Sequence, residues 1–404
     1  MPDPEQSPVG PLHGIRVVEL SRLIAGPSCA QILADLGADV VKVERSPAGD
    51  EVRQTGPGFV RDGEGRRTSL SSLFVACNRN KRSIALDFAD EADLATLKAL
   101  IARADVFIEN FKPGGLARYG LDPESVSRTH PQLIHLSVTG FGSDSQQTDR
   151  PATDGVLQAI SGFQSLNGEA DGAPQRSSVP VVDLCAGLYA AVAVLAALRA
   201  REVQGEPGQH CDVALLDSAM TLVASRAIDY RLTGEVPRRK GNALPDSAPC
   251  NVYRCADGDI FVQAAWDRRY HALCHAIGRS DLASDPRFAA RPERVRHAAE
   301  LDSQLADVLQ HWTLADLSEA LSAAAVIFAS VNTIDRALES EPVLERGLER
   351  KMEGANGRRV PMIASPIHLS RTPVRYRMAP PEPDENREAI LRDWLEDLPA
   401  DTRG

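Results

Sequence analysis

Val179 to Leu198 reads VPVVDLCAGLYAAVAVLAAL: one charged side chain, Asp183, then fifteen uncharged and mostly apolar residues. From Leu184 to Leu198 the run falls short of the roughly 20 residues that cross a bilayer. It is rich in alanine, lacks internal proline and gives way to charge at RARE. These properties predict a helix from Asp183 to about Arg201, packed on all sides in a core. The chain has 404 residues, 43% of them hydrophobic, enough to surround such a helix. A single core seldom grows past roughly 250–300 residues, so more than one domain is expected.

Ahead of this helix, strand and helix patterns alternate. GIRVVEL, DVVKVE, RSIALDF, DVFIEN and LIHLSVTGF read as strands, and EADLATLKALIARA as an amphipathic helix. Short apolar strands interleaved with helices predict an α/β fold with a mostly parallel sheet covered on both faces. Ligands of such sheets bind beyond the carboxyl ends of the strands, here SRLIAGP, ERSPAGD, ENFKPGG and TGFGSDS. Past residue 220 the texture changes. APCNVYRCADGDIFVQAAW predicts two strands around an Asp257-Gly258 turn, helices follow to Leu321, MEGANGRRVPMIASPIHLS reads as strands, and DENREAILRDWLEDL as a last amphipathic helix.

The formal net charge of -11 argues against partners such as nucleic acid or an anionic membrane. Seven cysteines, an odd number without a CxxC pair, read as reduced thiols of a cytoplasmic protein. MPDPEQSPVG has neither a basic nor an apolar leader region, which predicts a short disordered arm and no signal peptide.

Several segments carry candidate chemistry. HALCH brings His271, Cys274 and His275 within about one helical turn, but no second ligand cluster lies nearby, so no metal is expected. GFGSDS and SRLIAGPS lack the glycine spacing of a nicotinamide site, and neither a GxSxG elbow nor a Walker loop occurs. Arg79, Lys81 and Arg82, with Arg45, Lys112 and Arg118, put positive charge near predicted strand ends, as a phosphate-bearing ligand requires. Asp183 has two readings: a helix N-cap, which local sequence favours, or a nucleophilic carboxylate among the free N–H groups of a helix start.

PLHGIRVVELSRLIAGPSCAQILADLGADVVKVERSPAGDEVR, NRNKRSIALDF, ADVFIENFKPGGLARYGLD, PQLIHLSVTGFGSD, VPVVDLCAGLYAAVAVLAALRARE and GQHCDVALLDSAM together decide the matter. In these segments the chain resembles the family III CoA-transferases, of the formyl-CoA transferase and CaiB/BaiF type. The resemblance implies a large Rossmann-like domain built from both chain ends (1–220 and 335–404), a smaller α+β domain (221–334), and an interlocked homodimer. It implies that Asp183 is the nucleophile, with its own helix start supplying oxyanion donors. Coenzyme A would be a substrate, not a permanently bound cofactor, and a small carboxylic acid its partner. The family's CoA contacts fall on Ile24, Ala25, Arg45, Leu86, Asn110, Phe111, Lys112, Arg118, Ala152, Thr153 and Asp154.

Two departures narrow the chemistry. Racemases of the family resembled carry Gly-His-Asp where this chain has Ala152-Thr153-Asp154. Oxalate-using members place a glutamine near Ile24, a tyrosine near Leu73, and a glycine-rich flap where this chain reads RRKGNALPDSAPCN. The resemblance therefore implies CoA transfer to a C4 or C5 dicarboxylate or a hydrophobic monocarboxylate. The alternatives are a 2-methylacyl-CoA racemase or epimerase, and a non-catalytic CoA-binding subunit.

Overall fold

The computed structural model describes residues 10–396, so the expected N-terminal arm lies outside the described residues. Six strands form one parallel sheet: β1 (Arg16–Leu20), β2 (Asp39–Arg45), β3 (Lys81–Leu86), β4 (Val106–Glu109), β5 (Ile134–Thr139) and β6 (His210–Ala214). Their order is β3-β2-β1-β4-β5-β6, that of a doubly wound sheet. β6 begins at the histidine of GEPGQH, a stretch that composition alone places at the surface; its partner, β5, lies some 70 residues upstream.

Strands β1 to β5 are buried on both faces, which is why most of them read as apolar runs, whereas the edge strand β6 is largely open. Side chains alternate between two cores. Val17, Val40, Ile108, Ile134 and Leu136 point toward α1 (Ala25–Asp35) and α3 (Val181–Arg199). Val18, Val41, Ile84 and Phe107 point toward Leu97 and Leu100 of the helix at Glu91–Ile101, and toward Ile390 and Trp394 of the last helix, Arg387–Leu395. A seven-residue helix, α2 (Asp154–Ile160), precedes α3.

The expectation that α3 is packed on all sides is not met. Val182, Ala186, Ala190, Val194 and Ala197 are buried against α1 and the sheet. Leu188 is 58% exposed and Val192 61%, and Leu184 and Tyr189 are open with them. The sequence could not reveal this, because apolar residues surround the helix and no polar stripe marks the open side. With the π-helical turn Ala200–Gln204, the helix is long and apolar enough to cross a membrane, but its buried face identifies a core helix.

The chain divides into two compact units. Among the described residues, one comprises 10–163, 177–227 and 344–396; the other comprises 164–176 and 228–343. The sequence places these changes at 220/221 and 334/335 and leaves 164–176 in the first domain. In the second unit, strands Cys250–Arg254 and Asp259–Gln263 pair antiparallel, and Ile327–Ser330 adds a third strand. Helices cover this sheet through Tyr270, Leu273, Leu301, Leu305 and Leu317. The HALCH segment splits within its helix: Cys274 enters this core, whereas His271 and His275 face outward.

Candidate active site

In a doubly wound sheet the crevice opens where the strand order reverses, here between the carboxyl ends of β1 and β4. The loops leaving these strands are tied together. The Arg22 amide donates to Asn110 Oδ1 at 2.9 Å, and Asn110 Nδ2 donates to the Arg22 carbonyl at 2.7 Å. The next residue, Leu23, is non-glycine yet left-handed, with φ 67°. Such backbone costs about 1–2 kcal/mol and survives only where neighbours impose it. Here the Leu23 amide donates to Asp50 Oδ1 at 3.2 Å. Asp50 pairs with buried Lys42 at 3.1 Å, and Lys42 Nζ donates to the Ser21 carbonyl at 2.9 Å. Lys42 and Lys81 both meet buried Glu19; burial opposes ionisation, but the two ammonium groups hold its carboxyl below the usual range. The strained loop thus rests on a buried, charged foundation.

Two cavities open at this crevice. One, of about 420 Å³, is lined by Arg45, Leu86, Phe88, Arg118 and Tyr119. The other, of about 400 Å³, is lined by Ala25, Asn110, Lys112, Ala152, Thr153, Asp154 and Asp183. Arg22 and Phe111 line both. Of Asp183 and the expected CoA contacts, Ile24 alone is absent from both linings. Its side chain packs with Val52, Leu70 and Phe74, while its neighbours Leu23 and Ala25 face the second cavity. Gly140, just past β5, lets the 152–154 segment close in: a Cβ there would lie 2.2 Å from Ala152 Cβ.

The basic residues separate. Arg45 and Arg118 line the first cavity, with no carboxylate paired to either among the described residues. Arg79, Lys81 and Arg82, expected to join them, do not. They enter β3 from its amino end and are spent on Asp35, Glu19 and Asp39. A basic cluster before a strand lies at the opposite edge of a parallel sheet from one after it.

Asp183 sits in the first turn of α3, whose N-cap is Pro180. It is therefore not the cap. That work is done from α2, where Asp154 Oδ2 accepts from the Val182 amide at 2.8 Å and the Asp183 amide at 3.3 Å. Gln158 Nε2 donates to the other oxygen of Asp154. The N–H groups expected to surround a nucleophile at the start of α3 are consequently taken. Burial, and then the Asp154 carboxylate, push the Asp183 carboxyl up to about 7. One turn on, Gly187 brings α3 against the start of α1: a Cβ there would lie 2.9 Å from both the Ala25 carbonyl oxygen and Ser28 Cβ. Residues i and i+4 share a helix face, so Asp183 faces the first turn of α1. The leading N–H groups of α1, those of Ala25 and Gly26, have no intrahelical acceptor; Pro27 has no N–H, and the Ser28 amide donates to the Ile24 carbonyl at 2.8 Å.

Sequence reasoning missed Arg22, Leu23, Asp50 and Arg150. Arg22 and Leu23 were within reach, since they follow the first strand directly. Asp50 lies at the end of ERSPAGD, a strand-end segment, but its contact with Leu23 has no local signal; nor has the place of Arg150.

Residues 12–387 match the family model described as CoA-transferase family III. A succinate–glutarate CoA-transferase of Agrobacterium fabrum is 39% identical over 381 residues, 94% of this chain and 95% of that protein. A succinyl-CoA:mesaconate CoA-transferase of Haloarcula hispanica is 34% identical over 392 residues, covering 95% and 96%. The crystal structure of a CaiB/BaiF family protein from Brucella suis superposes with a TM-score of 0.87 at 38% identity, covering 96% of this chain and 100% of that one. The chain belongs to CoA-transferase family III, and it is a CoA-transferase.

Proposed function

We propose that this enzyme moves coenzyme A from an acyl-CoA donor to a short dicarboxylic acid, with Asp183 as the nucleophile. The observation that carries this reading is Asp183 itself: a carboxylate at a cavity wall, facing a helix start, with its pKa near 7. The unpaired guanidinium groups of Arg45 and Arg118 suit the phosphates of CoA in the first cavity. The thioester then extends past Phe111 into the second.

The ionised carboxylate attacks the donor carbonyl and expels CoA thiolate, leaving a mixed anhydride. The thiolate attacks the aspartyl carbonyl of that anhydride and releases the donor acid as its carboxylate. The acceptor carboxylate attacks the resulting aspartyl-CoA thioester and gives a second anhydride and thiolate. The thiolate finally attacks the acceptor carbonyl, forming the new acyl-CoA and freeing Asp183. No net proton is consumed, and one difficult exchange becomes four acyl transfers. Oxyanion stabilisation falls to the Ala25 and Gly26 amides at the start of α1, because Asp154 occupies those of α3 and Pro27 carries no N–H.

The acceptor assignment draws on the names of relatives, which act on succinate, glutarate and mesaconate. The racemase alternative needs a second proton-transfer group. No histidine lines the second cavity among the described residues, and the hydroxyl of Thr153 does not ionise near neutral pH. A 2-methylacyl-CoA incubated in deuterium oxide without acceptor should keep its α-hydrogen; incorporation of deuterium there would favour the racemase. A homodimer belongs to the same reading, a second copy covering the open apolar side of α3 formed by Leu184, Leu188 and Val192. The direct test pairs acyl-CoA donors with carboxylic acids and identifies new thioesters by mass spectrometry. If no acid in a panel that includes C4 and C5 diacids acquires CoA, the reading fails.

A further inference from the structure

Three cations line the second cavity: Arg22, Lys112 and Arg150. Arg22 is paired with Glu51 and Lys112 with Asp149. Arg150 has no carboxylate partner among the described residues. Its guanidinium carbon lies 5.3 Å from the centre of the Phe141 ring, another cavity residue. An aromatic face holds a guanidinium in place without neutralising it.

We infer that Arg150 binds the distal carboxylate of a dicarboxylic acyl group whose other carboxyl reacts at Asp183. This rests on the transferase reading above and deepens it by naming the residue that selects a diacid. A diacid presents two separate demands, a nucleophile at one end and a cation at the other, and this cavity supplies both. Burial, and then Asp154, raise the Asp183 carboxyl. A guanidinium beside Asp183 would lower its pKa and blunt it as a nucleophile; one further along the cavity can attract a remote carboxylate without that penalty. The planar guanidinium matches a carboxylate bidentately, whereas a lysine offers only a point charge.

The test compares glutarate with pentanoate, which has the same chain length but lacks the second carboxylate. Wild type, Arg150→Met and Arg150→Lys are assayed with one acyl-CoA donor. In Arg150→Met the ratio of kcat/KM for glutarate over pentanoate should fall about 10- to 100-fold, mostly through KM for glutarate. Arg150→Lys should recover part of that ratio, which a merely structural role would not produce. Equal losses for both acids, or an unchanged ratio, would overturn the assignment. So would a wild-type enzyme that accepts pentanoate as readily as glutarate, although CoA transfer itself would then stand. A wild-type enzyme that forms no thioester with any acid would instead overturn the transferase reading. Should Arg150→Met not fold, the Arg150→Lys ratio decides: no change from wild type sinks the proposal, and a partial fall supports it.

Discussion

The two edges of the parallel sheet use arginine for opposite ends. At the amino edge Arg79 and Arg82 are neutralised. Arg79 grips Asp35 through three hydrogen bonds, the closest at 2.6 Å, and Arg82 reaches Asp39 and Asp393. This edge also fastens the end of the chain: Asn80 bonds the Arg375 carbonyl, Arg377 bonds the carbonyls of Ala34 and Ala38, and Trp394 Nε1 donates to Asp39. At the carboxyl edge Arg45, Arg118 and Arg150 stand without carboxylates among the described residues. The first edge holds the fold together. At the second, these three arginines forgo the stability that pairing would give, which under the proposed function leaves their charge for anionic substrates. The same side chain is structural or functional according to whether the tertiary fold sets a carboxylate beside it.

The residue proposed as nucleophile gives the largest expected effect. Asp183→Ala should reduce CoA transfer by at least about 10³-fold while circular dichroism and CoA binding persist. A variant retaining more than a few per cent of activity would remove Asp183 from that role.

The contrast between edges is broken or upheld by matched substitutions. Arg79→Met should destabilise the protein by about 3–5 kcal/mol in denaturant unfolding, because it strands the Asp35 carboxylate in the interior. Arg45→Met or Arg118→Met should barely shift the unfolding midpoint, yet raise KM for acyl-CoA about 10- to 100-fold. The reverse pattern would mean that the unpaired cations are structural after all.

A subtler test concerns how α3 aims Asp183. Gly187→Ala places a methyl against the backbone of α1 and should cost about 1–3 kcal/mol. Activity should fall by more than the loss of folded protein explains, since the shift moves Asp183 away from the first turn of α1. Wild-type kcat per folded molecule would show that this approach is not needed.

The smallest effects are those of pH. A carboxylate in the proposed role must be ionised, so kcat/KM should rise with pH through an inflection at about 7. Asp154→Asn removes a like charge and should move that inflection to lower pH. Glu109, which burial also raises to about 7, should leave the inflection in place when changed to glutamine. Stability carries the opposite sign. Between the unfolded value near 4 and about 7, native Asp183 keeps a proton that the unfolded chain has lost, so stability falls as pH rises through this window. Asp183→Asn should therefore be more stable than wild type at pH 8, by about 1–2 kcal/mol once solvent screening is allowed for, and no more stable below pH 4. An equal difference at both pH values would locate the effect in packing.

The sequence by itself determined the elements and the approximate place of the chemistry. The strand runs are legible because burial on both faces demands unbroken apolar residues. The loops at their carboxyl ends are legible because a parallel sheet collects them on one edge. Asp183 stands out as a lone charge at the front of an apolar helix, and the resemblance to a family gave that charge a role. Tertiary structure decided the partners. Asp154 caps α3 from a helix 29 residues upstream, and so occupies the amides that a local reading leaves free. Arg79 and Lys81 find carboxylates across the sheet, and β6 finds β5, over separations on which local patterning is silent. The apolar sequence of α3 conceals its open side, since the same residue types stand on its buried and its exposed face. Periodicity reports which face of an element is apolar; only the fold reports which atoms come to lie against it, and that choice sets the charge on Asp183 and the freedom of Arg150.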